Sequence, residues 1–402
     1  MANQFASISN ALAILKNFYA GPIVSQFNDN LPIWKGAEKG KEKWTGYQVV
    51  RPVKVRRNQG IGATSDGGTL PKIGQQTTAQ ALISSKFNYL RFGLTGPIIK
   101  ASSNDKGAFV SAMEFEMEEG LKDLKSDVNR QLSWDGTSDL AVLSAAAVAS
   151  PTITVTGRES AEPGNKFLDV GMVIDIVTSA GAYKAQGITI NAISGTTTAT
   201  LTLDQPVTAA ATDIVVRSAS YGQEMNGLLT TLDGGTTSIY NINRSTYPSY
   251  QGNVVNAGGG QMTLNLLQQA LNEARRRGDG KITAIYSDFD SERFYSKLLL
   301  ADKRYVNTMK GDGSFLDKNQ SYLEFNGAGW LADKDCPQRV FMLSEGSWKK
   351  YVLAELEWAD ETGSYMIAQT SADQFEVRLR FFADLFCEKP SANAALVSYI
   401  SP

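Results

Sequence analysis

The sequence contains no histidine and only two cysteines, Cys336 and Cys387, in 402 residues. Without histidine there is no Ser–His triad, no histidine metal site and no histidine proton shuttle. Two cysteines cannot build a zinc cluster or a disulfide framework, and they read as buried free thiols of a reducing compartment. An excess of either charge is missing too: 39 Lys and Arg stand against 41 Asp and Glu, a formal net charge of −2. That balance argues against a generally basic nucleic-acid binder. No apolar run approaches the ~20 residues that span a bilayer. The opening segment MANQFASISNALAILKNFYAG has no basic leader and its apolar residues are periodic, which argues against a signal peptide. The expectation is a soluble intracellular protein with little catalytic equipment and no cofactor.

What is present is organised in blocks. Phe5, Ile8, Leu12, Leu15 and Tyr19 recur at helical spacing over 5–19. Such a helix docks on its own core or, as an arm, on a neighbour; periodicity does not choose between them. Residues 35–57 are basic, with Lys35, Lys39, Lys41, Lys43, Arg51, Lys54, Arg56 and Arg57 facing only Glu38 and Glu42. From Tyr47 the run alternates through Val49, Arg51, Val53, Val55 and Arg57, the pattern of a half-exposed strand. A Gly-rich tip, GIGATSDGGTLPKIG, follows, and SSKFNYLRFGLTG then reads as the returning strand. The expectation is a long β-hairpin with a flexible tip, which needs a partner surface because it has no core of its own.

Residues 105–134 carry the strongest helical signal. Val110, Met113, Met117, Leu121, Leu124, Val128 and Leu132 form one apolar stripe. Ser103 or Asn104 can cap the start, and Asp135-Gly136 stops the helix. Thirty residues make a rod of about 45 Å. Glu114, Glu118, Glu119, Asp123 and Asp127 lie on its other face, and Gly120 weakens the middle slightly. The small-residue stretch AVLSAAAVAS at 141–150 reads as a linker. Residues 151–218 then give short alternating runs separated by turns, the signature of a small antiparallel sandwich or barrel. After a loose stretch through NVVNAGGG, helical and strand patterns alternate. Thr263 caps LNLLQQALNEARRR, KITAIYS is a strand, Asp290 caps DSERFYSKLL, and RVFMLS and SWKKYVLAE follow. This is an α/β unit. QFEVRLRFFADLF closes the chain as a long strand before a turn and a last strand.

Motifs with chemical potential are few. Asp288, Asp290 and Glu292 lack the glycine and distal Glu of a calcium loop, and read better as a strand end and helix start. Ser103–Lys106 and Ser347–Lys350 match S-x-x-K without its partner motifs. GDGK at 278–281 has Arg275 where a phosphate loop needs glycine, and reads as a helix cap and turn. The basic hairpin lacks the interleaved aromatics of a base-stacking surface. Protein contact suits it better, and the acidic helix supplies a complementary surface. The candidate contact residues are therefore Arg51, Lys54, Arg56 and Arg57 on the hairpin, and Glu114, Glu118, Glu119 and Asp123 on the helix.

The order of these parts resembles the major capsid proteins of tailed phages, an α+β architecture known as the HK97-like fold. RQLSWDGTS at 130–138 is similar to the family's R-x-x-x-x-x-G-D/N-G-T pattern. The family's G-[IL]-L segment soon follows that pattern; here MNGLLTTLD stands at 225–233, with the β-rich stretch in between. FNGAGWLADKDCPQRVFML is similar to the family's G-x-P-V-x-x-D-x-x-P strand–turn–strand, departing at Gly329-Trp330. CEKPSANAAL is similar to its closing Pro-x-A segment.

The resemblance implies an N-terminal arm at 1–43, an E-loop hairpin at 44–100 and the spine helix of the P-domain at 101–140. It implies an inserted β domain at 141–220, an A-domain at 221–355 and returning P-domain strands at 356–402. It implies function by self-assembly, not catalysis: pentamers and hexamers of an icosahedral shell around double-stranded DNA, in the virion, after assembly in the host cytoplasm. The implied partners are other copies of the chain, a scaffolding protein, a portal and a decoration protein, with no membrane and no metal. Two alternatives stay open on sequence. One is a hydrolytic enzyme or carbohydrate-binding protein with a β accessory module; the other is a different virion component.

Overall fold

The computed structural model describes residues 31–95, 106–159, 162–235, 237–300, 323–359, 366–368 and 373–401. The expected helix at 5–19 and the Ser103 or Asn104 cap lie outside them. The chain divides into two compact units. One holds the residues up to Leu132, with Tyr240–Ile242 and Trp348–Glu388; the other holds Ser133–Ile239, Asn243–Ser347 and Lys389–Pro402. No described helix is long and apolar enough to cross a membrane.

The first unit is built on a long helix and a five-stranded sheet. The helix spans Lys106–Ser133, and Met117, Leu121, Leu124, Val128 and Leu132 of its stripe are buried. Gly120 has a packing role: a Cβ there would stand 3.0 Å from Leu90 Cδ2. Gln131 donates to Asn88 Oδ1 at 2.9 Å. Both contacts are with the strand Lys86–Thr95, which pairs antiparallel with Gln374–Cys387, Leu90 opposite Leu379 and Asn88 opposite Phe381. Directly opposed residues share a sheet face. The buried Val377, Leu379 and Phe381 therefore lie on the helix side.

Two expectations change here. The hairpin strand Gln48–Arg56 pairs with Thr77–Ser84, Val49 opposite Ile83 and Val53 opposite Ala79. SSKFNYLRFGLTG is therefore not the returning strand. The Ser85 amide closes the hairpin base on the Tyr47 carbonyl at 2.9 Å. The aromatic run beyond it pairs with Gln374–Cys387, where Phe87 and Tyr89 contact Phe382 edge-on. SWKKYVLAE likewise forms Trp348–Trp358, which pairs with the same long strand and not with the α/β sheet.

In the second unit, residues 139–217 form a closed six-stranded barrel. Its strands run Ile214–Arg217, Asp139–Leu143, Ala147–Thr156, Thr198–Ala209, Tyr183–Ser194 and Val173–Val177, and the last pairs with the first. Alternation fills the interior with Ile153, Val155, Ile174, Ile188, Leu201 and Val215. AVLSAAAVAS is not a linker. It supplies most of one strand and the start of the next, and Leu140, Ala141, Leu143 and Ala147 are buried in the barrel core.

The unit's other core is a six-stranded sheet. Its order is Asn253–Asn256, Ala394–Val397, Val340–Ser344, Ile282–Ser287, Ala328–Ala332 and Leu323–Phe325. NVVN, which looks loose in sequence, is thus an edge strand, held by pairing to residues far along the chain. The helix Leu264–Gly278 buries Leu267, Ala270, Leu271 and Ala274 in this core. Thr263 caps it by accepting from the Leu266 amide at 3.2 Å. The left-handed residue at its end is Asp279 (φ 49°), not glycine. Gly278 and Gly280 answer a different need: a Cβ on either would fall within 2.2 Å of the Ser391 or Ala392 backbone. The helix Phe289–Leu300 is capped by Asp288, whose carboxylate accepts from the Ser291 amide, and not by Asp290.

Candidate functional site: the charged hairpin, the acidic helix and the barrel junction

The eight candidate contact residues separate by environment. Val49, Arg51, Val53 and Val55 lie on one face of the hairpin strand and Lys54 and Arg56 on the other. Arg51 therefore sits on the valine side, 19% exposed, and is engaged within its own unit. It pairs with Glu42, and its Nη2 donates to Glu388 Oε1 at 2.8 Å. The Tyr351 hydroxyl donates to Glu42 Oε2 at 2.6 Å, and burial pushes that hydroxyl's pKa up. This cluster fastens the hairpin base. Lys54, Arg56 and Arg57 are exposed. So are three aliphatics of the tip: Ile61 (83%), Leu70 (77%) and Ile73 (100%). On the helix, Glu118 and Asp123 are exposed, while Glu119 accepts from Lys122 at 2.6 Å. The Glu114 side chain lies outside the described residues.

Sequence reasoning missed a second charged assembly, where the barrel joins its unit. Arg158, just past the strand Ala147–Thr156, grips Asp135 with both ends of its guanidinium, Nη1 donating to Oδ1 at 2.8 Å. Nη1 also donates to Thr137 Oγ1 at 3.2 Å and lies 3.5 Å from Asp139 Oδ2. The guanidinium carbon stands 5.2 Å above the Trp134 ring. The outgoing connection lies alongside: Ser138 Oγ donates to Glu224 Oε1 at 2.9 Å, and Asp139 pairs in register with Val216. Arg339 reaches Glu159 at 2.7 Å, and Lys166 reaches the Cys336 carbonyl at 3.3 Å. These contacts tie the barrel to the segment that carries the six-stranded sheet. The acids divide, with Asp135 lowered and Asp139 and Glu162, the partner of Lys166, both raised. Burial pushes Asp135 up, but the Arg158 hydrogen bond and charge outweigh it and hold Asp135 below the usual carboxylate range. Burial raises Asp139 against the pull of Arg158, and the Asp135 charge adds to the rise. Burial likewise raises Glu162 against Lys166. Only the DGT motif hinted at this junction.

The remaining motifs have structural places. Asp288 is raised by burial, and Ser291 Oγ lies within hydrogen-bonding reach of both Asp288 and the Tyr399 hydroxyl. Asp290 pairs with Arg293 at 2.8 Å. Lys350 donates to the Trp34 carbonyl at 2.8 Å, and burial lowers its pKa. Both cysteines are buried free thiols.

No protein-family model matches the chain, and no curated protein matches it. Solved structures do. The capsid asymmetric unit of cyanophage A-1(L) superposes with a TM-score of 0.52 at 12% identity, covering 99% of this chain and 95% of that one. The capsid of a native GTA particle gives a TM-score of 0.49 at 8% identity, covering 92% and 90%. The procapsid of satellite phage P4 gives 0.43 at 8%, covering 95% and 91%. The chain has the HK97-like capsid fold.

Proposed function

We propose that the chain is the major capsid protein of a tailed phage. It assembles into pentamers and hexamers of an icosahedral head that encloses double-stranded DNA. The observation that carries this reading is the cyanophage capsid likeness, which spans 99% of the chain. The hairpin tip adds physical support. Ile61, Leu70 and Ile73 are exposed on one loop, and exposed aliphatics grouped together favour a protein contact. In this reading the tip and Lys54, Arg56 and Arg57 meet the acidic helix face of a neighbouring copy, with Glu118 and Asp123 as its exposed anions. The barrel is an inserted domain displayed on the shell exterior. A separate scaffolding protein guides assembly, a portal occupies one vertex, a decoration protein has the exterior available, and DNA is held without sequence preference. Assembly takes place in the host cytoplasm, and the chain performs no catalysis. The test is expression of the chain, alone and with the scaffolding protein of its phage, followed by sedimentation and electron microscopy. Closed shells or capsomers are expected. A monomer under all these conditions would overturn the reading.

A further inference from the structure

The six-stranded sheet ends on Asn253–Asn256, which pairs in parallel with Ala394–Val397 and with no other described strand. The Asn253 amide donates to the Asn393 carbonyl at 3.3 Å, and the Ala257 amide to the Val397 carbonyl at 3.0 Å. In a parallel ladder, alternate residues turn their backbone groups toward the partner. Val254 and Asn256 therefore direct their N–H and C=O groups to the open side of the sheet. A cleft of about 290 Å³ runs along this strand, walled by Gln269, Glu273 and Arg277 of the neighbouring helix.

One end of the edge is tied down at Asn253. Asn253 is 2% exposed, and its side-chain amide donates to the Ser391 and Asn393 carbonyls at 2.7 and 2.8 Å. Arg277 Nη1 donates to Asn253 Oδ1 at 3.0 Å. A strand edge fixed before binding loses little conformational freedom on binding. Open edges recruit further strands, and proteins that leave them uncovered risk uncontrolled pairing. At the sheet's opposite end, Leu323–Phe325 pairs with Ala328–Ala332 and with no other described strand. Self-pairing of the Asn253–Asn256 edge would leave that second edge unmatched. A head-to-tail contact uses both, and head-to-tail contacts between identical chains give rings when the rotation between neighbours closes.

We propose that the Asn253–Asn256 edge is a strand-addition site that receives an extended segment of a second copy of this chain, with Glu273 and Arg277 contacting its side chains. The proposal rests on the assembly reading above and gives it a specific contact. Val254→Pro tests it. Proline removes an amide that this chain's own ladder does not use, a substitution that edge strands tolerate. The variant is expected to keep the wild-type circular dichroism and melting temperature while its yield of capsomers or shells falls by about tenfold or more. A folded variant that assembles like wild type overturns the proposal. If the variant does not fold, hydrogen exchange on the wild type decides. The Val254 and Asn256 amides should exchange much more slowly in assemblies than in dispersed subunits. Equal exchange in the two states overturns the proposal and leaves the assembly reading standing, whereas a wild type that never assembles overturns both.

Discussion

Arg158 holds Asp135 in a two-pronged ion pair while standing 3.5 Å from Asp139, so one guanidinium serves two carboxylates of opposite character. Asp135 has a folded-state pKa below its unfolded value. It contributes stability above the unfolded pKa and loses that contribution as pH falls through the folded one. Asp139 has a raised folded-state pKa, so it binds its proton more tightly folded than unfolded. Its ionisation opposes folding, and stability is lost as pH rises from the unfolded value through the folded one. Asp135→Asn is therefore expected to destabilise the second unit at pH 7, by about 1.5–3 kcal/mol for a charge-assisted pair. The deficit should shrink toward acid. Asp139→Asn should raise the melting temperature at pH 8, with no gain at pH 3. Melts of the two variants across this range check both signs, and parallel curves would refute the assignment.

The hairpin cations should divide in the same way. Arg51 lies between Glu42 and Glu388, so its removal leaves two partly buried carboxylates facing each other. Arg51→Ala is expected to cost about 1.5–3 kcal/mol of subunit stability. Arg56→Glu with Arg57→Glu should lower the subunit melt far less than Arg51→Ala, because both residues are exposed. It should lower shell yield instead. Adding Glu118→Lys and Glu119→Lys should partly restore that yield. Exposed pairs contribute only ~0.2–1 kcal/mol each, so the effect depends on repetition at every contact. It should fade in salt as the Debye length falls to ~10 Å at 0.1 M. Normal shells from the doubly reversed hairpin would remove charge from the account.

Leu124→Ala addresses the long helix. Leu124 is buried between Leu121 and Val128 on the stripe that the sequence displays. The expected loss is about 2–5 kcal/mol, read as a lowered melting temperature of the first unit. An unchanged melt would mean that this face is not packed.

The helix was legible because its stripe persists for many turns. The barrel strands were legible because alternation and turns recur. Where the reading failed, the deciding partner was distant in sequence. Thr77–Ser84 carries few strong strand formers and is a strand because Val49 and Ile83 pair across the hairpin. Asn253–Asn256 is a strand because Ala394–Val397 lies beside it. Arg51 looked like its fellow cations, and only the pleat reveals that it shares a face with three valines. The Arg158 junction was hidden for the same reason, since Asp135 and Arg158 are joined by a turn of the barrel and not by any local motif.

Excising the barrel follows from its connections. Asp139 is paired in register with Val216, and the Gly222 amide donates to the Thr137 carbonyl at 3.2 Å, so the two chain crossings run side by side. Joining Ser138 to Ser218 through a short Gly/Ser linker should then leave the six-stranded sheet undisturbed, as expected for a domain whose ends lie close together. The excision also removes Arg158, which leaves Asp135 without its cation. It removes Glu159, the partner of Arg339, as well. A plain deletion is therefore expected to fold with reduced stability. The same deletion carrying Asp135→Asn should recover part of the loss at pH 7, because a neutral amide there needs no counter-charge. Circular dichroism and thermal melts of the two deletions, with the intact chain as reference, check the expectation. A deletion that fails to fold in both forms would show that the barrel is an integral part of its unit and not an insertion.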